Sequence, residues 1–129
     1  GHNRTINRRK FQRDELDPIL QGRAAAQSLV FQGYRKLLAA RIAQPAFHPD
    51  APQEVIATTD PGLIAFRRSS LDGRQTVLCV TNCTAEEIEL DFPLLGGLPF
   101  RELLSGAAVP DRHFVLPPYG TGWFNAVSG

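Results

Sequence analysis

The sequence predicts a mainly β protein: an antiparallel β-sandwich domain preceded by one long α-helix. Three observations carry this. Two β-rich runs, Leu63 to Ser70 and Gln75 to Asn82, flank Leu71-Asp72-Gly73-Arg74. An Asp-Gly pair between such runs is a strong hairpin signal, because glycine takes the positive φ that these turns require. The arm Val77-Leu78-Cys79-Val80 is apolar on both pleat faces and reads as a central strand covered on both sides. Beyond it, Glu87, Glu89 and Asp91 alternate with Ile88, Leu90 and Phe92, the period of a strand with one wet face. Together these predict three consecutive antiparallel strands at the heart of the β unit.

From the N-terminus, Gly1 to Arg13 is basic, with Arg4, Arg8, Arg9, Lys10 and Arg13, and holds only Ile6 and Phe11 as core candidates. A nucleic-acid arm has this composition. The run is short, however, and Asp14, Glu15 and Asp17 soon balance it, so a loop whose arginines find partners in a larger body fits better. Asp14 to Gln21 suits one or two helical turns with acids at the positive end of the dipole, and Gly22 ends it. The long helix follows, from about Ala24 to Ala43. Val30, Tyr34, Leu37, Leu38 and Ile42 form a stripe at three- and four-residue spacing, widened by Leu29 and Phe31. Gln32, Arg35, Lys36 and Arg41 occupy the other side, and Pro45 stops the helix. A stripe this wide is a packing face; left uncovered, it predicts self-association or folding back onto the β unit.

Pro45 to Pro52 reads as a stiff extended connector, and composition changes there from helical to β. That places the domain boundary between residues 1–45 and 46–129. Glu54 to Thr59 is the first strand, and Asp60-Pro61-Gly62 turns into Leu63. Phe92 to Pro99 is a Gly/Pro-rich loop, Phe100 to Leu104 a short strand ending at Ser105-Gly106, and His113 to Leu116 another. Pro117-Pro118-Tyr119-Gly120 turns it into Thr121 to Phe124. Seven or eight short strands at this spacing predict a sandwich.

The chain has 129 residues, room for one domain with an appendage and a sizeable core. A net charge of +1 with 21% charged residues gives no global pull toward nucleic acid or a membrane. No run approaches the ~18 apolar residues of a span, and no signal peptide opens the chain. Cys79 and Cys83 on an extended strand would lie roughly 13 Å apart, too far to bridge. Two buried free thiols in a reducing compartment follow, and with them the cytoplasm. Without a secretory signal, the sequons Asn3-Arg4-Thr5 and Asn82-Cys83-Thr84 carry little weight. There is no phosphate-cradling glycine loop, zinc-type spacing or nucleophile elbow. His2, His48 and His113 lie in different segments. His113 beside Asp111 can be drawn as an acid/base pair, but such neighbours are ordinary in a turn. Glu86, Glu87 and Glu89 fall on solvent faces. No catalytic residue, metal or cofactor is expected of this chain itself.

The residues also add up to a resemblance. The loop Gly1-His2-Asn3-Arg4-Thr5-Ile6-Asn7-Arg8 precedes a helix with Tyr34-Arg35-Lys36-Leu37-Leu38-Ala39-Ala40-Arg41. Pro45-Ala46-Phe47-His48-Pro49 and a β module with Val77-Leu78-Cys79-Val80-Thr81-Asn82 follow. The module continues through Arg101-Glu102-Leu103-Leu104-Ser105-Gly106 and closes on Leu116-Pro117-Pro118-Tyr119-Gly120-Thr121-Gly122-Trp123. Over nearly its whole length the chain resembles the C-terminal end of an α-amylase superfamily (glycoside hydrolase family 13) enzyme. It is most similar to the sucrose phosphorylase and glucosylglycerate phosphorylase branch.

The resemblance implies that the long helix is the last helix of a catalytic (β/α)8 barrel and the β module its accessory domain. Such enzymes transfer a glucosyl group through a carboxylate nucleophile, a carboxylic acid/base and a third, stabilising carboxylate, all on upstream barrel strands. A barrel needs roughly 250 residues, so the partner implied is that upstream domain, with carbohydrate and phosphate as its ligands. Arg4 matches the arginine on the acceptor or phosphate side of the pocket, work that suits a fixed fork of donors. Asn7 and Arg8 match the same motif as supports. The sequence departs from the simplest family form at Asn3 and Thr5. A rival reading is a small carbohydrate-binding module, for which Tyr119, Trp123 and Phe124 would supply stacking faces.

Overall fold

The computed structural model describes residues 10–22, 25–91, 100–109 and 113–126, with Asp91 described by its backbone alone. The chain divides into two compact units, Gly1–Leu38 and Ala39–Gly129, so the division falls inside the long helix. In the first unit, α1 is Arg13–Gln21, with Asp14 and Glu15 in its first turn and Pro18 within it. Gly22 closes it, its N–H donating to the Pro18 carbonyl at 3.0 Å. The long helix α2 is Ala26–Ile42. Ser28 is its one buried residue, and its Oγ donates to the Leu20 carbonyl at 2.8 Å, tying α2 to the end of α1. The expected apolar stripe forms, but Val30, Tyr34 and Leu38 are each at least half exposed. Arg35 sits 5.8 Å from the Phe31 ring centroid.

The second unit is antiparallel β. Its strands are β1 (Gln53–Ile56), β2 (Leu63–Ser69), β3 (Thr76–Asn82), β4 (Ile88–Asp91), β5 (Phe100–Glu102), β6 (Ala108–Val109), β7 (His113–Leu116) and β8 (Thr121–Ala126). Six of them form one sheet in the order β1-β2-β3-β8-β5-β6, while β4 and β7 pair in a second. The predicted fold class, mainly antiparallel β after a long helix, is the one observed. The β2–β3 hairpin registers Ser69 opposite Thr76 and Leu63 opposite Asn82, and Gly73 at its tip has φ 69°. The third predicted strand goes elsewhere. β4 leaves the first sheet and pairs with β7, Ile88 opposite Leu116, and the free side of β3 is taken by β8. The signal of one wet face holds for β4, but it is silent about which neighbour a strand takes.

β3 is buried on both faces, as its sequence requires. Leu78 and Val80 join Ala65, Phe100, Val109 and Phe124 of the large sheet with Leu90 and Leu116 of the small one. Val77 and Cys79 face the other way, onto Ala46 and Phe47. Burying a side chain of this size contributes roughly 1.5–3 kcal/mol, so these four residues anchor both layers. The expected extended connector is therefore a packed layer. Pro45–Phe47 is one turn of 3-10 helix whose Ala46 and Phe47 are buried, and Ala51 is buried with them.

The sandwich is joined at one end by Asn82, which is fully buried. Its Nδ2 donates to the carbonyls of Glu86 at 2.6 Å and Pro117 at 3.0 Å, just outside β4 and β7. Its Oδ1 accepts the Thr84 N–H and hydroxyl, both at 2.8 Å.

Candidate functional site

The residues singled out for substrate contact, Arg4, Asn7 and Arg8, lie outside the described residues. Within the β unit, the polar side chains that sequence reasoning passed over are the ones that converge, and they hold the fold. Arg68 on β2 donates from Nε to the Ala46 carbonyl at 2.9 Å and from Nη2 to those of His48 at 2.8 Å and Ala51 at 3.2 Å. Its Nη1 reaches Gln53 Oε1 at 3.1 Å. A guanidinium offers five donors in a planar fork, which is what a bend of three carbonyls needs. Gln75 works from the hairpin end, accepting the Ala46 N–H at 3.0 Å and donating to Gln44 Oε1 at 2.6 Å. The apolar complement is Phe47 against Trp123, their ring centroids 4.7 Å apart.

Glu102, the last residue of β5, is 3% exposed. Burial pushes its carboxyl pKa up. The Ser105 hydroxyl and the N–H groups of Leu104, Ser105 and Trp123 outweigh that and hold it below the ordinary value. These four donors stand at 2.6, 3.0, 2.6 and 3.2 Å respectively. A carboxylate so engaged has no free lone pair for general acid/base work. The acids expected on solvent faces, Glu86, Glu87 and Glu89, are exposed. Glu89 Oε1 lies 2.8 Å from His113 Nδ1, across the small sheet, so His113 has a different carboxylate from the Asp111 drawn beside it in sequence. Asp111 lies outside the described residues.

One thiol departs from expectation. Cys79 is buried, and desolvation pushes its pKa up to about 12, whereas Cys83 is exposed just beyond the end of β3. Both are free. Among the described residues, no three His, Cys, Asp or Glu side chains gather into a metal-holding group, and no helix is long and apolar enough to cross a membrane. The aromatic faces named for sugar stacking are mostly in use. Phe124 is fully buried and meets Phe114 edge-on at 5.0 Å, and Trp123 is half-buried against Phe47. Tyr119 is exposed, at the positive φ of 54° in its turn.

The second unit carries a largely apolar hollow of about 410 Å³. Ile42, Pro45, Phe47, Pro49 and Leu71 wall it, and Gln44, His48 and Asp72 line it with polar groups. Leu71 is an apolar residue in a turn otherwise built from polar ones, the one sequence signal that could have located this surface.

Comparison with known proteins places this geometry. Residues 53–123 match the family model of the maltogenic amylase C-terminal domain. Glucosylglycerate phosphorylase of Spirochaeta thermophila is 39% identical over 93 residues, covering 72% of this chain and 16% of that protein. Its namesake in Allomeiothermus silvanus is 32% identical over 123 residues, covering 95% of this chain and 20% of that protein. The chain thus spans about one fifth of the length of these relatives. Among solved structures, trehalulose synthase MutB of Pseudomonas mesoacidophila MX-45 aligns with TM-score 0.62 and 25% identity, over 76% of this chain and 18% of that one. AmyP in complex with maltose aligns with TM-score 0.66 at 16% identity, over 80% and 22%.

Proposed function

Because the chain belongs to the family of maltogenic amylase C-terminal domains, we propose that it is the accessory β domain of a glucosyl-transferring phosphorylase of the glucosylglycerate phosphorylase kind. The observation that carries this is the match to two enzymes of that name at 39% and 32% identity. The consumed polar groups support an accessory role. Arg68, Gln75, Asn82 and Glu102 are spent on backbone groups and turns, so the domain stabilises rather than reacts. In this reading residues 1–45 complete the catalytic barrel, residues 46–129 form the accessory domain, and the chain by itself turns over no glucoside. Arg4 faces the acceptor or phosphate side of the glucosyl site, with Asn7 and Arg8 as its supports. Carbohydrate and phosphate are ligands of the whole enzyme, which works in the cytoplasm.

The reaction is phosphorolysis: a phosphate oxygen bonds to the anomeric carbon, the glycosidic bond breaks, and the acceptor leaves carrying the proton. The test uses the full-length polypeptide with glucosylglycerate and inorganic phosphate, following glucose 1-phosphate. Its release, with no free glucose, is the expected result. Turnover of sucrose in place of glucosylglycerate would move the assignment to the sucrose phosphorylase side of the branch. Free glucose without phosphate consumption would make the enzyme a hydrolase and overturn the proposal.

A further inference from the structure

We propose that Asp72-Gly73 is a modification site that converts to isoaspartate, and that the buried hydroxyl of Ser70 is the latch holding it closed in the folded protein. The pair stands at the tip of the β2–β3 hairpin, where Gly73 has φ 69° and open space in place of a side chain. With no side chain on the following residue, nothing hinders an aspartate from closing on the next amide. In that step the Gly73 nitrogen bonds to Asp72 Cγ, the C–OH bond of the neutral carboxyl breaks, and water leaves with the amide proton. The product is a five-membered imide. Water then opens the ring at either carbonyl. Opening at Cγ restores the aspartate, and opening at the former main-chain carbonyl leaves the backbone running through Cβ and Cγ. No oxidant, reductant or enzyme is consumed.

The folded turn opposes ring closure at both reacting atoms. The Gly73 N–H donates to the Ser70 carbonyl at 2.9 Å. Closure removes that proton, so this bond must break first. Asp72 Oδ1 accepts the Ser70 Oγ at 2.6 Å and the Arg74 N–H at 3.1 Å, which fixes the carboxyl in place. The Ser70 bond, then the Arg74 one, hold its pKa below the ordinary value, so little of the reactive neutral acid is present. Ser70 is 3% exposed, although the residues from Leu71 to Arg74 are all exposed. Its Oγ accepts the Gln75 N–H at 2.9 Å, and its own N–H donates to the Gln75 carbonyl at 2.8 Å. One buried side chain therefore ties the labile pair to the strand ends.

Gln75 carries the consequence inward. Its side chain accepts the Ala46 N–H at 3.0 Å and donates to Gln44 Oε1 at 2.6 Å. Isoaspartate inserts an extra backbone carbon between Ser70 and Gln75, and the pairing of these two residues does not fit the longer tip. Conversion thus loosens Gln75 and, with it, the 3-10 turn that buries Ala46 and Phe47.

The test incubates the full-length polypeptide warm at neutral pH for several weeks. It follows the tryptic peptide Ser69–Arg74, in which isoaspartate separates from aspartate by chromatography at equal mass. A free peptide spanning residues 68–77 is the reference. The folded protein is expected to convert about tenfold or more slowly than this peptide, the scale set by one hydrogen bond to a charged group. Equal rates overturn the proposal. Ser70→Ala is expected to recover most of that factor, and Glu102→Ala, which weakens the β unit at a different turn, controls for unfolding. With the two variants brought to the same folded fraction by denaturant, faster conversion in Ser70→Ala supports the latch, and equal conversion overturns it. The converted wild-type chain should also be cleaved faster between residues 45 and 52. Unchanged cleavage there would overturn the coupling through Gln75.

Discussion

The Glu102 carboxylate accepts the backbone N–H of Trp123 at 3.2 Å, while the carbonyl of Trp123 accepts the N–H of Leu103 at 2.7 Å. One acidic side chain thus holds the turn after β5 against the interior strand β8. Glu102→Ala leaves the N–H groups of Leu104, Ser105 and Trp123 without their acceptor. Each hydrogen bond to a charged group contributes about 1.5–3 kcal/mol, and the expected loss of stability is at least ~2 kcal/mol by denaturant melt. Because folding lowers the Glu102 pKa below 4.5, its contribution is complete above about that pH and is lost as pH falls through the lowered folded value. Glu102→Gln is expected to flatten this part of the acid-unfolding profile.

Arg68→Lys is expected to destabilise the β unit by about 2 kcal/mol, although charge is retained. An ammonium is a point donor, and it cannot meet the carbonyls of Ala46, His48 and Ala51 from one position as the guanidinium does. Limited proteolysis provides the local check, with cleavage between residues 45 and 52 accelerating in the variant.

Asn82→Asp places carboxylate oxygen where Nδ2 now donates to the carbonyls of Glu86 and Pro117. Burying that unmatched charge should cost at least ~3 kcal/mol and in practice prevent folding of the sandwich. The same geometry disposes of the second sequon. The nitrogen that a glycan would occupy is buried and already bonded, so the folded protein offered to a glycosylating system should show no mass increase at this site.

Arg4→Ala in the full-length enzyme should lower phosphorolysis by about tenfold or more. A charge-assisted bond to phosphate is worth roughly 1.5–3 kcal/mol, and ~1.4 kcal/mol corresponds to one decade in rate. The melting temperature of the present 129-residue chain should stay unchanged, because Arg4 lies in a polar, basic segment with no local apolar anchor and such replacements fall within ~0.5 kcal/mol. An unaltered rate would remove Arg4 from the site, and a large drop in melting temperature would make it structural.

Local chemistry was readable from the sequence, and long-range pairing was not. The Asp72-Gly73 tip and the doubly apolar Val77–Val80 run are properties of a few adjacent residues, and both appear where expected. β4 was recognisable as a strand, yet its partner β7 is chosen by Asn82 and by the apolar cluster around Leu116, which no neighbouring residue announces. The Pro45–Pro52 segment differs from its sequence expectation for a related reason. Its prolines indicate stiffness, but its packing depends on Arg68, far along the chain. Cys83, read in sequence as a second buried thiol, lies one residue past the end of β3 and is exposed. Glu102 gave one faint signal, a glutamate three residues before a serine at a strand end.

Strand order also sets a clock on folding. β8 follows every other strand in sequence but lies in the middle of the large sheet, with β3 on one side and β5 on the other. Without β8, the strands β1, β2 and β3 make one sheet piece and β5 with β6 another, with no strand pairing between them among the described residues. Each piece then carries an open edge, at Val77–Thr81 and at Phe100–Glu102, the kind of edge that recruits other chains. Only Thr121–Ala126 closes both at once, so the large sheet is completed by one strand in a single step rather than strand by strand.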